Sequence, residues 1–407
     1  MGDGNVSQSG PKLWTKDFIV VSGINFFLTL IFYLLMVTIA VYAVDEFHAT
    51  TSQAGLVTGI FIIGTLIGRL LIGRMIDSIG RKKTLFIGLV LFTLATALYF
   101  ADLGLAFLFF NRFIHGLTLG IASTATGTIV AQIIPATRKG EGIGYYTMSA
   151  TLATAIGPFI GLFMSQHTSF PIIFGFCLVL GMVSIAIAFL VSVPPVEAGA
   201  NKAAVKGLKL SSFVEPRALP IAFVTLAVAF CYSSVLSFIN FYAMEIDLVD
   251  AASFFFIVYA AAVLASRPFT GRLMDIKGAN FVMYPAFMVF GAGMLLLSAA
   301  SHGFGLLLAG FLIGLGFGNM QSSTQAIAVK LTPPHRMGLA TSTFFIFLDA
   351  GLGFGPYVLG LIIPRTGYST LYMALGIAVF AFSILYYFLY GRKEKELRTA
   401  MDAPAIM

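Results

Sequence analysis

Charged side chains inside long apolar runs are costly and need a reason, so they are the first candidates for chemistry. Asp349 stands about twelve residues into one such run and is followed by Gly351, Gly353, Gly355 and Pro356. A lone carboxylate at that depth is a proton-relay candidate, or else a neutral group hydrogen-bonded to a neighbouring helix. Arg112 lies in another run, roughly 12 Å from its start near Gly104 at the rise of a helix. A guanidinium facing lipid there costs at least about 2.5 kcal/mol, so it should turn inward to a partner. It is a coupling or substrate residue, or an interior hydrogen-bond anchor. His115 follows one turn deeper; it is a second group that could exchange protons near neutral pH, or a packing residue. Cys177 and Cys231 have no His or Cys neighbour at metal-ligand spacing and are small core residues. No phosphate loop, metal cluster or Ser-His-Asp set in a polar region is present in the sequence, so no enzyme, cofactor or metal is expected.

The elements that must hold these residues follow from composition. Of 407 residues 58% are hydrophobic and 10% charged, whereas a soluble domain carries about 25% charged residues. Such a chain needs lipid as its solvent. A hydrocarbon core of ~30 Å takes roughly 20 helical residues to cross, and runs of that length fill the sequence. Spans are expected at 18–44, 53–76, 83–101, 105–134, 140–165, 170–193, 217–243, 251–274, 280–300, 303–332, 337–363 and 369–390. None alternates in polarity as the short strands of a membrane barrel do. The first run is too long for the core of a signal peptide, and no cleavage site of the A-x-A kind closes it.

With both termini on the cytoplasmic side, 20 of the 24 basic residues fall in inner loops and tails and one, Arg365, outside; Arg69, Arg112 and Arg267 lie within spans. Acids such as Asp45, Glu46, Asp102 and Glu245 fall outside. That asymmetry sets the orientation in a cell membrane and accounts for the net charge of +7 without nucleic acid. Pro194 to Pro216 has linker composition and divides the chain into an N-terminal bundle (1–193), a cytoplasmic linker (194–216) and a C-terminal bundle (217–407). The halves are copies. A shift of 198 residues lays Arg69 on Arg267, Gly73 on Gly271, Asp77 on Asp275, Gly116 on Gly314, Gly140 on Gly338 and Gly157-Pro158 on Gly355-Pro356. Parallel repeats of this kind build transporters around a midplane site.

Three motifs carry a family resemblance. Gly73-Arg-Met-Ile-Asp77-Ser-Ile-Gly80-Arg81-Lys82-Lys83 resembles the major facilitator superfamily signature G-x-x-x-D-R-x-G-R-[RK]-x-[RK], with Ser78 in place of a basic residue. Leu108-x-x-x-Arg112-x-x-His115-Gly116 is similar to its L-x-x-x-R-x-x-Q-G, with His115 for Gln. Gly157, Pro158 and Gly161 resemble the antiporter motif G-x-x-x-G-P-x-x-G-G of the exporters, with Ala153 and Leu162 replacing two glycines. Gly355 and Pro356 repeat it.

The resemblance implies an all-α integral membrane fold of twelve transmembrane helices in two six-helix bundles. It also implies a secondary transporter of the drug or metabolite:proton antiporter branch, exporting a small molecule by alternating access; uptake or facilitated movement on the same fold, or a membrane sensor, are the alternatives. A monomer is expected, with protons and the lipid bilayer as its other partners. Arg112, His115 and Asp349 would couple protons, and Asp77 would latch onto the eleventh span together with Gly73, Gly80, Arg81 and Asp275. The first span offers only Asn25 and Tyr33 where many family exporters place an acid. Family architecture puts the first, fourth, seventh and tenth spans around the cavity. Substrate would then meet Asn25, Tyr33, Arg112, Tyr232, Asn240, Asn319 and Gln321.

Overall fold

The computed structural model describes residues 12–49, 51–194 and 213–394. Most of the expected linker, with Lys202, Lys206 and Lys209, lies outside the described residues, as does the tail from residue 395. Every regular element among the described residues is helical. The first six long helices are α1 (Lys16–Phe47), α2 (Thr51–Ile79), α3 (Arg81–Ala97), α4 (Leu105–Ile133), α5 (Lys139–His167) and α6 (Phe170–Ala188). Then come α7 (Leu219–Glu245), a short α8 (Val249–Ser253), α9 (Phe255–Lys277), α10 (Ala279–Ser298) and α11 (Gly303–Ile313). A π-helical turn (Gly314–Gly318) joins α11 to α12 (Asn319–Lys330), and α13 (Met337–Leu389) closes the series.

Ten segments are long and apolar enough to cross a bilayer, with α11 to α12 counted as one rod and α13 counted once. In α13, however, Gly367 takes φ 74° and ψ 169°, which breaks it into two helices of crossing length. α9 has 23 residues but carries Arg267, Arg272, Asp275 and Lys277 and is less apolar. The expected twelve is reached by taking α9 as a span and α13 as two. Two boundaries differ from expectation. The eighth span starts later, at Phe255, because the chain first makes the separate turn α8. The sixth ends at Ala188, where the amides of Leu190 and Val191 bond back only three residues, to Ile187 and Ala188 (3.0 and 3.2 Å).

The helix ends are set locally. Thr15 caps α1 by accepting the Phe18 amide at 3.2 Å. Gly80 and Gly278, equivalent in the repeat, both take φ 97° in the tight turns after α2 and α9; a side chain there would be strained. We call the end of the molecule that carries these turns the base.

Lipid tails are as apolar as leucine, so helices associate through close backbone approach rather than by hiding from water. Gly64 and Gly68 of α2 press on the α4 backbone at Phe113 and Leu117, and Gly116 and Gly120 of α4 press back on Phe61 and Thr65. Gly157 and Gly161 seat α5 on α1 at Tyr33 and Leu34. Gly351 and Gly355 seat α13 on α7 at Leu226, Phe230 and Ser233. The first six helices meet the later ones chiefly through α2 on α13 and α5 on α9. Large apolar side chains such as Phe159, Phe269, Phe304, Phe354 and Tyr357 stand exposed around the outside, which a fold in water would avoid and a lipid-facing surface requires.

Candidate functional site

A cavity of about 230 Å³ opens between the two sets of helices. It draws side chains from α1, α4, α7 and the rod of α11 and α12, and also from α2, α5, α9 and α13. Its apolar walls are largely aromatic. Tyr232 stacks on Phe317 with ring centroids 4.0 Å apart and on Tyr259 at 5.4 Å. Phe32, Tyr33 and Phe61 face them from α1 and α2. The polar side belongs to α1 and α5: Asn25 donates to Ser149 Oγ at 3.0 Å and accepts from the Tyr146 hydroxyl at 2.9 Å.

The one ion pair on the cavity wall among the described residues joins Arg69 of α2 to Asp349 of α13, Nε to Oδ2 at 3.0 Å. Both residues line the cavity. Phe345, one turn before Asp349, lies under the same guanidinium at 4.3 Å. Ser342, a further turn toward the base, donates to the Arg69 carbonyl at 2.6 Å. One face of α13 therefore grips one arginine by charge, ring and hydroxyl. In water such a pair contributes little; in a site walled by hydrocarbon its two charges are held to each other far more tightly.

Asn25, Tyr33, Tyr232 and Gln321 line the cavity together with Asp349. Arg112 and His115 do not. They sit in a fully buried cluster among α2, α3 and α4, behind the ring of Phe61. Arg112 donates to the Val57 carbonyl and to the Tyr99 hydroxyl, both at 3.1 Å. The two ring nitrogens of His115 meet Tyr99 (3.0 Å) and Thr96 (3.1 Å). Asn319 also points away from the cavity, accepting from Thr270 at 2.7 Å and donating to Ser266 at 2.9 Å. The Asn240 side chain lies outside the described residues.

At the base, two acids equivalent in the repeat sit on helix N-termini of the opposite half. Asp275 accepts from the amides of Gly140 and Glu141 at the start of α5 (2.8 and 2.9 Å), and from Lys330 at 2.7 Å. Asp77 lies against the Gly338 amide at the start of α13 and binds Arg81 at 2.8 Å. Arg81 in turn donates to Gln132 (2.8 Å) and to the Pro334 carbonyl (2.6 Å). A helix start offers free amides and a partial positive charge, so a carboxylate is the natural tenant. Gly73 lets Ser342 approach where a Cβ would collide with it. Glu215, just before α7, pairs with Arg336, just before α13, at 2.6 Å and so ties the end of the linker to the second half.

The sequence carries no direct sign of the pairing of Arg69 with Asp349, although Arg69 and Arg267 stand within spans at equivalent repeat positions. That coincidence was the available signal.

This arrangement of helices, cavity and base defines a multi-pass membrane protein of the transporter kind. The Major Facilitator Superfamily model matches residues 21–348 and 248–405, and the chain belongs to that family of membrane transporters. It is similar to an uncharacterized MFS-type transporter of Methanocaldococcus jannaschii, 24% identical over 91% of this chain and 95% of the other. An uncharacterized MFS-type transporter of Burkholderia mallei is 25% identical over 86% of each. Among solved structures, the fold is similar to the human organic anion transporter MFSD10 (TM-score 0.71, 15% identity, 93% of this chain and 100% of the other). It is also similar to the transporter FucP in the outward conformation (TM-score 0.73, 14% identity, 93% and 99%).

Proposed function

We propose that the protein is a secondary active transporter that exports a small molecule in exchange for protons, working as a monomer in the cell membrane with both termini cytoplasmic. Residues 1–193 and 217–407 are the two bundles that rock about the cavity, with 194–216 as the linker. The observation that carries this reading is the Arg69–Asp349 pair, an ionisable cross-link between α2 and α13 on the cavity wall. A proton on Asp349 cancels its charge and frees Arg69 from α13. Protonation therefore weakens one of the contacts that hold the two halves together at the cavity wall, and deprotonation restores it. A carboxylate reached from the cavity can take its proton from one side and release it to the other as the bundles move.

Asp349 is assigned the proton in preference to His115, because both His115 nitrogens are engaged and the ring is walled off from the cavity by Phe61. Arg112 then acts as an anchor within the first bundle. Asn25, Tyr33, Tyr232 and Gln321 contact substrate. The clamps at Asp77 and Asp275, with Gly73, Gly80 and Arg81, hold the base shut, so the cavity in this state opens toward the outer side. The direction of transport rests on the Gly157-Pro158 and Gly355-Pro356 pattern, which resembles that of exporters.

The test is reconstitution in liposomes with an imposed pH gradient and a panel of anionic, neutral and cationic compounds. One class should dissipate the gradient, and Asp349→Asn should abolish the effect. Labelled compounds crossing through the protein with no proton movement would overturn proton coupling.

A further inference from the structure

Arg267 of α9 is the repeat counterpart of Arg69. It is 1% exposed. Arg69 has Asp349 across the interface between the halves; 198 positions before Asp349, the repeat places Thr151, which also lines the cavity. So where one half carries an acid, the other carries a hydroxyl, which donates to the Thr147 carbonyl at 3.2 Å. Arg267 donates from Nη1 to Ser322 Oγ, while its Nε and Nη2 have no hydrogen-bond partner among the described residues. No carboxylate there forms an ion pair with it.

Arg267 is not itself among the residues that line the cavity, but residues around it are. Tyr259, two turns earlier on α9, lines the cavity. On α12, Gln325 stands one turn from Ser322, lines the cavity, and has both amide atoms buried and unpartnered. On the α5 side, Gly144 leaves room for the Arg267 side chain, and Thr147, three residues on, lines the cavity again. A guanidinium out of water is costly unless an anion meets it, and an amide without partners adds to the deficit. A carboxylate satisfies both, accepting from two donors of the arginine fork and from the Gln325 amide.

We propose that the substrate is an organic monoanion, an apolar body carrying one carboxylate, whose charge is taken up by Arg267 and Gln325 while the aromatic wall of Tyr232, Tyr259 and Phe317 holds the rest. This rests on the reading of the cavity as the transport site, and names the class of molecule it takes. Thr151 is the position at which a built-in acid would make the ligand's charge redundant.

Equilibrium binding to the purified protein, with no gradient, tests it. Benzoate, phenylacetate and octanoate are titrated calorimetrically against their amides and against benzyltrimethylammonium, on wild type, Arg267→Gln and Thr151→Asp. At least one acid is expected to bind at least about tenfold more tightly than its amide, and both variants should lose that preference. Thr151→Asp adds a counter-charge instead of stranding one, so it reports even if Arg267→Gln fails to fold. No acid binding wild type, amide or ammonium binding as tightly, or full acid preference surviving in Thr151→Asp each overturns the proposal. Gradient-driven exchange of another class would leave the transport reading standing on its own.

Discussion

Asp349 and Arg69 set each other's state, and removing either alone differs from removing both. Asp349→Asn leaves a buried guanidinium without its anion, and breaking such a pair costs about 3–5 kcal/mol. A clear drop in the thermal unfolding midpoint is expected, together with loss of proton movement in liposomes. The double variant Arg69→Leu, Asp349→Leu should recover most of the stability, because both desolvated charges leave together, yet recover none of the proton movement. A stable double variant that still moves protons would place the coupling site elsewhere. Arg112 makes the opposite prediction. Its bonds to Val57 and Tyr99 are internal to the first bundle, and hydrogen bonds from a charged group contribute about 1.5–3 kcal/mol each. Arg112→Leu should therefore lower stability while the affinity of cavity ligands changes by less than about twofold, a difference below half a kcal/mol. Both Asp349 and Arg112 are legible in sequence as charges stranded in apolar runs. Their partners are not, because no period or spacing within one helix says which faces of its neighbours it meets.

Helices were the easier scale to read. Runs of about 20 apolar residues found the spans because length is fixed by the bilayer, and the glycine repeats marked the close contacts. The π turn at Gly314–Gly318 was invisible, since the equivalent first-half residues, Gly116 to Gly120, share its outer glycines yet continue as plain α-helix. The difference lies in packing: Gly316 is jammed against the Phe290 backbone of α10. Glycine spacing also overstates itself, because only some glycines are contact points. Gly116→Val puts a side chain into the Phe61 backbone, and overpacking costs about 1–3 kcal/mol even where neighbours can shift. Gly23 of α1 has open space around it. Gly116→Val should fail to accumulate or unfold well below wild type, whereas Gly23→Ala should unfold within a few degrees of it. Equal thermal midpoints for the two variants would mean that α2 and α4 do not touch as described.

For the molecule as a whole, the repeat pairs Asp77 with Asp275, and the base places both at equivalent points, as two proposed clamps. Each is a carboxylate on a helix start of the other half, so losing one forfeits charge-assisted hydrogen bonds of about 1.5–3 kcal/mol each and shifts the population of open base roughly tenfold or more. Ser342, buried against Gly73, is a natural place to watch. The two native cysteines are free and buried, so Ser342→Cys reports alone. Its rate of maleimide labelling should rise about tenfold or more when Asp275→Asn is added; an unchanged rate would mean the base is held by packing, with the clamps as passengers. The π turn bears on the same motion in another way. It stores slack, being wound more loosely than the plain helix that its first-half twin forms from the same number of residues. Drawing that slack out moves everything beyond it by about 1.5 Å along the axis and about 100° around it. Phe317, inside the turn, would unstack from Tyr232, while Gln321 and Gln325 rotated off the cavity wall together. Such a screw motion within one rod would re-aim the cavity-facing side chains of the second half, where the first half has only plain helix, so the two copies are equal in outline and unequal in winding.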